Sequence, residues 1–181
     1  MTRPFKSYLL SGVEGTVAVE FALIAPVMIT IFFAVAELTD ALEASSKVTS
    51  VASSAADLVA QEKSVCNAEI NDVFAAVTAI MFPYSGTGMQ IRISSVSDNG
   101  NGTANVLWSD ARNTSARSVG SSIPGLPVGV IATGGSAIYA EVSYAYSSPT
   151  SKYLLASIPM ATNFYTRPRQ VTQVARTVSS C

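Results

Sequence analysis

The chain has 181 residues, with 11 Lys and Arg against 12 Asp and Glu, no His and a formal net charge of -1. Charged residues make up 13% of it, about half the share of an ordinary soluble domain, while 49% is hydrophobic. The lack of His excludes Ser-His-Asp and Cys-His catalysis and His-based metal sites, and the near-neutral charge argues against a surface that tracks phosphates, so nucleic acid is not an expected partner.

The apolar residues gather near the N-terminus. Phe21–Ala36 (FALIAPVMITIFFAVA) carries no charge, and Glu20 is the one charged residue in Thr16–Ala36. At about 1.5 Å per residue, a helix of that length just crosses a hydrocarbon core of about 30 Å. Arg3 and Lys6 precede it, and Glu37, Asp40 and Glu43 follow. The positive-inside bias then predicts a cytoplasmic N-terminus and an exported remainder. Three fates are open to such a segment: a cleaved secretory signal, a permanent anchor, or an anchor trimmed at its cytoplasmic end. Ala34-Val35-Ala36 is an A-x-A site of the kind signal peptidase cuts, which would leave a secreted binding protein or adhesin starting at Glu37. Against that, the run is long for a signal and opens with a carboxylate. A charge costs about 2.5–3.5 kcal/mol at the centre of a membrane helix and less near its end.

The position of Glu20 favours the third fate. Gly15-Thr16-Val17-Ala18-Val19-Glu20-Phe21 resembles the processing site of type IV pilin-like proteins, where a membrane peptidase cuts after Gly and a Glu stands fifth in the mature chain. Gly12 does not fit, because its fifth following residue is Val17. The resemblance implies a leader Met1–Gly15, a scissile Gly15–Thr16 bond and a new ammonium on Thr16. An uncompensated charge in a low-dielectric setting is costly, and pairing offsets much of that cost. In pilin-like proteins the Glu pairs with a neighbouring subunit's terminus, so Glu20, Phe21 and Pro26 form the implied docking face. Pro26 also predicts a kink.

From Glu37 to Gln61 there is no Gly or Pro, which predicts that the helix continues. Leu38, Ser45, Ala52 and Val59, with Ala41, Val48 and Ala55, form a small-residue stripe at coiled-coil spacing. The competing reading, preferred for the C-terminal half, is that this helix covers the domain's own sheet. A second helix is expected over Ala68–Phe82, ended by Pro83. Met89–Val96 and Thr103–Ser109 read as a hairpin around Ser97–Gly102, with Gly86-Thr87-Gly88 as a turn before it. Ala137–Ser147 alternates, with Ile138, Ala140, Val142, Tyr144 and Tyr146 on one face. Ser118–Ala140, rich in Pro and Gly, reads as a surface loop. Strands are expected near Asn163–Arg167 and Gln170–Val178. Trp108, Tyr139, Tyr144 and Tyr146 are candidates for a contact face or for the core, the core being preferred for the last two. Arg167-Pro168-Arg169 reads either as an anion-recognition patch or as a strand end.

The two cysteines, Cys66 and Cys181, suit an oxidising compartment. Pairing them is favoured over a free or intermolecular Cys181. The carboxylates Glu69, Asp72, Asp98, Asp110 and Glu141 are not spaced as an acid/base pair, so no enzyme, cofactor or metal is expected.

VAVEFALIAPVM, the Ala/Ser-rich segment ending in AADLVAQ, and then VLWSDAR, LPVG, AEVSYAY and FYTRPRQ resemble TadE-like proteins of the Tad (Flp) pilus system. The resemblance implies a minor pilin or pseudopilin, matured by the prepilin peptidase and used in assembling an adhesive pilus. Its implied partners are other pilin-type subunits and the inner-membrane assembly platform. Residues 1–15 would be the leader, 16–36 the transmembrane helix, 37–62 a helical stalk and 63–181 a periplasmic head. The fold class expected is pilin-like α+β: a long N-terminal helix and a small antiparallel-sheet head.

Overall fold

The computed structural model describes residues 13–98, 103–123, 131, 134–147, 157–178 and 181. The leader residues Arg3 and Lys6, the hairpin tip 99–102 and residues 124–130 of the Pro/Gly-rich stretch lie outside them. The chain forms two compact units, residues up to Ala41 and Leu42–Cys181. The fold is mixed α+β, a long N-terminal apolar helix followed by an antiparallel-sheet domain.

Helix α1 spans Val13–Ala60, 48 residues with Pro26 inside. In the first unit its apolar side chains face outward, with Phe21 71%, Leu23 72% and Phe32 70% exposed. In the second unit the same helix turns one face inward. Ala44, Val48, Val51, Ala52, Ala55, Ala56, Val59 and Ala60 are all buried. Those positions recur at three and four, as a helix lying on a core requires. The core-covering reading therefore holds for the C-terminal half, where the expected stripe positions Val48, Ala52, Ala55 and Val59 are buried. Ser45 and Leu38 are exposed, and Ala44 takes the inward position beside Val48. Ala at so many of these sites lets the helix approach closely, while each buried Val contributes about 1.5–3 kcal/mol.

After a two-residue strand β1 (Ser64–Val65), helix α2 runs Asn67–Ala79. The backbone N–H of Cys66 donates to Glu69 Oε2 at 2.8 Å, half of a capping box. The helix stops three residues before the expected Phe82. The N–H groups of Ile80, Met81 and Phe82 donate to carbonyls three residues back, a tightened turn that buries Met81 and leaves Phe82 80% exposed. The residue before a proline disfavours the helical region, so the helix gives way ahead of Pro83. The Gly86–Gly88 turn is present, closed by Met89 N–H to Gly86 O at 3.2 Å, with Gly88 at φ +81°.

Strands β2 (Gln90–Asp98), β3 (Ala104–Arg112), β4 (Ser122–Ile123), β5 (Ser136–Tyr146) and β6 (Ile158–Thr166) form one antiparallel sheet in the order β4-β3-β2-β5-β6. One face, with Ile91, Ile93, Trp108, Ile138, Ala140, Val142, Tyr144 and Tyr146, is buried. The other carries a second core of Val96, Ala104, Val106, Ile123, Ile131, Ala137 and Tyr139. A bulge at Ser95/Val96 makes this possible: Ser95 pairs with Trp108 but Val96 with Val106, so two β3 residues two apart serve opposite faces.

Three expectations change. The Ser118–Ala140 loop contains β4 and the start of β5, and its Ile123, Ile131 and Ala137 are buried because small apolar residues there cover the sheet's second face. Strand β6 begins five residues before Asn163, since Pro159 is tolerated on an edge strand. Only Ala175–Arg176 of the last expected strand is extended (β7), and it pairs in parallel with β1.

Candidate functional site

The residues marked for processing and docking all lie on α1 in the first unit. Gly15 is exposed, and a Cβ added there meets nothing within 4 Å. Thr16 and Glu20 are both exposed and stand four apart, so they share one face of the helix. Phe21 and Pro26 are exposed as well. Thr30 Oγ1 donates to the Pro26 carbonyl at 2.8 Å and Thr39 Oγ1 to the Val35 carbonyl at 2.9 Å, so these hydroxyls are satisfied within the helix. Among the described residues α1 is the one helix long and apolar enough to cross a membrane. Its most apolar 18-residue window has mean hydropathy 2.3 and no buried residue. In water, such a surface would forfeit the burial that holds a helix of this composition in place.

This exposed span runs directly into the inward-facing half of α1, and the comparison with known families covers both. Residues 15–57 match the family model of TadE-like protein. Over this segment the chain is similar to TadE-like proteins. The match opens on Gly15 itself and ends at Asp57, within the part of α1 that is buried in the second unit. No curated protein and no solved structure matches the chain.

In the second unit the C-terminal residues after β6 form a strap across the end of α1 and the start of α2. Arg169 N–H donates to the Ala60 carbonyl at 2.8 Å, and Gln170 Nε2 to the Gln61 carbonyl at 2.6 Å. These cap carbonyls that a helix C-terminus leaves open. The last turn of α1 has no basic residue of its own, and the Arg169 guanidinium, paired with Asp57, places the favoured positive charge there. Of the two readings of Arg167-Pro168-Arg169, the strand end is observed, with Arg169 turned to this internal purpose.

Further along the strap, Trp108 Nε1 donates to the Val174 carbonyl at 2.8 Å. Arg176 grips Asp110 through Nε at 2.7 Å and Nη2 at 3.0 Å, and its Nη2 also reaches Asn67 Oδ1 at 2.6 Å. That pairing raises the Arg176 pKa above its ordinary value, against the opposing effect of burial. The strap ends in the Cys66–Cys181 disulfide, Cα–Cα 5.9 Å, which closes 115 residues of sequence separation. Glu69 and the two sulfurs lie within 4.8 Å of one another, but the sulfurs are bonded together and the carboxylate caps α2, so neither thiolate is available as a ligand.

The sheet's second face carries an ionic cluster that sequence spacing did not disclose. Glu141 on β5 receives Arg117 Nε at 2.8 Å and Nη2 at 2.7 Å in a fork, and Arg92 Nη1 from β2 at 3.1 Å. Arg92 Nε also donates to the Ser115 carbonyl at 2.8 Å, and Asn113 Nδ2 to the Met89 carbonyl at 2.8 Å. Asn113 sits at φ +59°, a conformation Asn tolerates, so the segment after β3 folds back and is pinned to the sheet. Burial pushes the Glu141 carboxyl up, but the hydrogen bonds and charges of Arg117 and Arg92 outweigh it and hold the group below the ordinary carboxylate range. The signal available in the sequence was Glu141 itself, one of the few carboxylates on an alternating strand. Its partners are set by the strand order.

A depressed native pKa stabilises the fold above the unfolded-state value, about 4.3 for Glu, and that contribution is lost as pH falls through the native value. Glu141→Gln should therefore lower unfolding free energy at pH 7 by about 1–2 kcal/mol, between the exposed and buried limits for ion pairs. The deficit should shrink as pH falls below the unfolded-state value and through the lower native one. Urea titrations of both proteins across that acid range and at pH 7 check this, and a deficit that does not change with pH would assign the loss to packing.

Proposed function

We propose that this chain is a non-enzymatic, membrane-anchored minor pilin or pseudopilin of a Tad (Flp) pilus used in adhesion. The observation that carries the reading is the TadE-like match opening at Gly15, with Glu20 five residues on, along a helix whose apolar side chains are exposed. In this reading α1 holds the protein in the inner membrane with its N-terminus cytoplasmic and its head periplasmic. The prepilin peptidase cuts Gly15–Thr16, and the Thr16 ammonium and Glu20 carboxylate set the register against other pilin-type helices on the assembly platform. Phe21 and Pro26 belong to the same docking face, and no cofactor takes part. A non-catalytic head is supported by the state of its carboxylates: Glu141 is bound by two arginines, Asp110 by Arg176 and Glu69 by a helix cap.

The intact mass of the protein recovered from its native membrane tests the reading. A chain beginning at Thr16 is expected. One beginning at Glu37 would sink the proposal and leave a secreted binding domain. One retaining its leader would reduce α1 to a plain anchor.

A further inference from the structure

The sheet's second face changes character along its length. Toward one end it is covered by the core that includes Ala137 and Tyr139. Past Glu141 it is polar. Two cross-strand rows meet there, Gln90–Ser143–Ala161 and Arg92–Glu141–Asn163. Gln90, Ser143, Ala161 and Asn163 are exposed, and with Arg92 and Thr114 they line a concavity of about 240 Å³. The ionic cluster beside it is unbalanced. Arg92 and Arg117 bring two positive charges against the single carboxylate of Glu141. Both Glu141 oxygens are taken, Oε2 by Arg117 Nε and Arg92 Nη1, Oε1 by Arg117 Nη2. A guanidinium has five N–H donors. Arg92 spends one each on the Ser115 carbonyl, Glu141 and Thr114 Oγ1, which leaves an N–H on Nη1 and another on Nη2. Its side chain is only 21% exposed. A charge that has lost much of its hydration draws a counter-charge.

We propose that this hollow binds a small hydroxylated carboxylate, the chemistry of a sugar acid, with Arg92 taking the carboxylate. The charge selects the anion. One carboxylate brings the cluster to neutrality, whereas a phosphate ester, at about −1.5 to −2, would leave negative charge beside Glu141. A planar carboxylate also suits the fork of guanidinium donors. The lining selects the rest of the ligand. The Gln90 amide and the Ser143 hydroxyl each donate and accept, and neither has a partner among the described residues. The Thr114 hydroxyl accepts from Arg92 and keeps its own hydrogen to give. Asn163 is steadied by a side-chain hydrogen bond with Tyr139. Ligand hydroxyls answer such groups, while a hydrocarbon body would strand them. A volume below the roughly 300–1,000 Å³ of drug-sized sites limits the occupant to about one ring. The site does not rest on the pilus reading.

Titration calorimetry on the full chain, in micelles of an uncharged detergent without sugar headgroups, tests this with D-glucuronate and D-galacturonate. At least one should bind with a Kd on the order of 1 mM and shift the side-chain amide NMR signals of Gln90 and Asn163. Glucose, which lacks the carboxylate, and acetate, which lacks the hydroxyls, should each bind about tenfold more weakly or worse. Asn163→Asp places a negative charge in the hollow and should weaken sugar-acid binding about tenfold or more. Arg92→Gln should do the same, with Glu141 still held by the Arg117 fork and Trp108 emission reporting an intact fold. Arg112→Gln removes an equal charge from the other face of the sheet and should leave binding unchanged. Failure of both acids to bind at about 50 mM overturns the proposal. So does glucose or acetate matching the acids, since charge and hydroxyls would then not be read together. Binding that survives both Asn163→Asp and Arg92→Gln overturns it too, by placing the ligand elsewhere.

Discussion

Replacing Cys66 and Cys181 together by serine should lower the unfolding free energy by about 3–5 kcal/mol, the range expected when a loop of more than 100 residues loses its closure. The argument runs through the unfolded state. In the folded state the strap has other anchors: the β1–β7 pairing, Asn67 Nδ2 to the Val178 carbonyl at 2.9 Å, the Arg176–Asp110 fork and the Trp108–Val174 hydrogen bond. These survive the substitution, so the native strap stays in place while the unfolded chain gains freedom. Trp108, the one tryptophan, separates the two effects. Its emission without denaturant should match the parent, while the urea midpoint falls. Emission shifted to the red at zero urea would instead show the strap leaving and the indole hydrated. An unmoved midpoint would mean that the unfolded chain without the disulfide is already compact, so that closing the loop removes little of its freedom.

Much of this architecture is legible in the residues. The charge-free run from Phe21 and the absence of Gly and Pro over Glu37–Gln61 mark α1, and the alternation Ile138, Ala140, Val142, Tyr144, Tyr146 marks β5. Where the inward stripe of α1 begins is less so, because in an Ala/Ser-rich helix neighbouring positions have nearly equal polarity. Packing in the second unit selects Ala44 over Ser45. Periodicity also fails where both faces of a strand are covered. Ala137 and Tyr139 are buried with Val106, Ile123 and Ile131, and no two-period pattern shows that. The ionic cluster depends on topology: Arg92 and Glu141 are 49 residues apart and meet because β2 lies beside β5. Within the processing segment the legible part is chemical. The Gly15–Glu20 spacing is read from the sequence, and the helix adds that Thr16 and Glu20 lie on one face.

That shared face makes the last prediction one of coupling. Glu20→Gln should leave the protein at normal levels in the membrane and cut at Gly15, yet reduce pilus assembly severely. Neutralising a carboxylate near the end of a membrane helix lowers its insertion cost, by less than the roughly 2.5–3.5 kcal/mol of a central charge, so lost anchoring cannot explain an assembly defect. Gly15→Leu should block assembly by preventing cleavage. Open space around Gly15 means that a side chain there leaves the packing of α1 undisturbed, so on the proposed processing a loss of assembly would come from the cut. If Glu20 acts by pairing with the ammonium that cleavage creates, the pair has a single energy to lose, and the double variant should assemble no worse than Gly15→Leu alone. Surface pili, membrane protein level and N-terminal mass, measured on the same cells, give the three readouts. Wild-type assembly by Glu20→Gln would leave the carboxylate a bystander at the headgroup level.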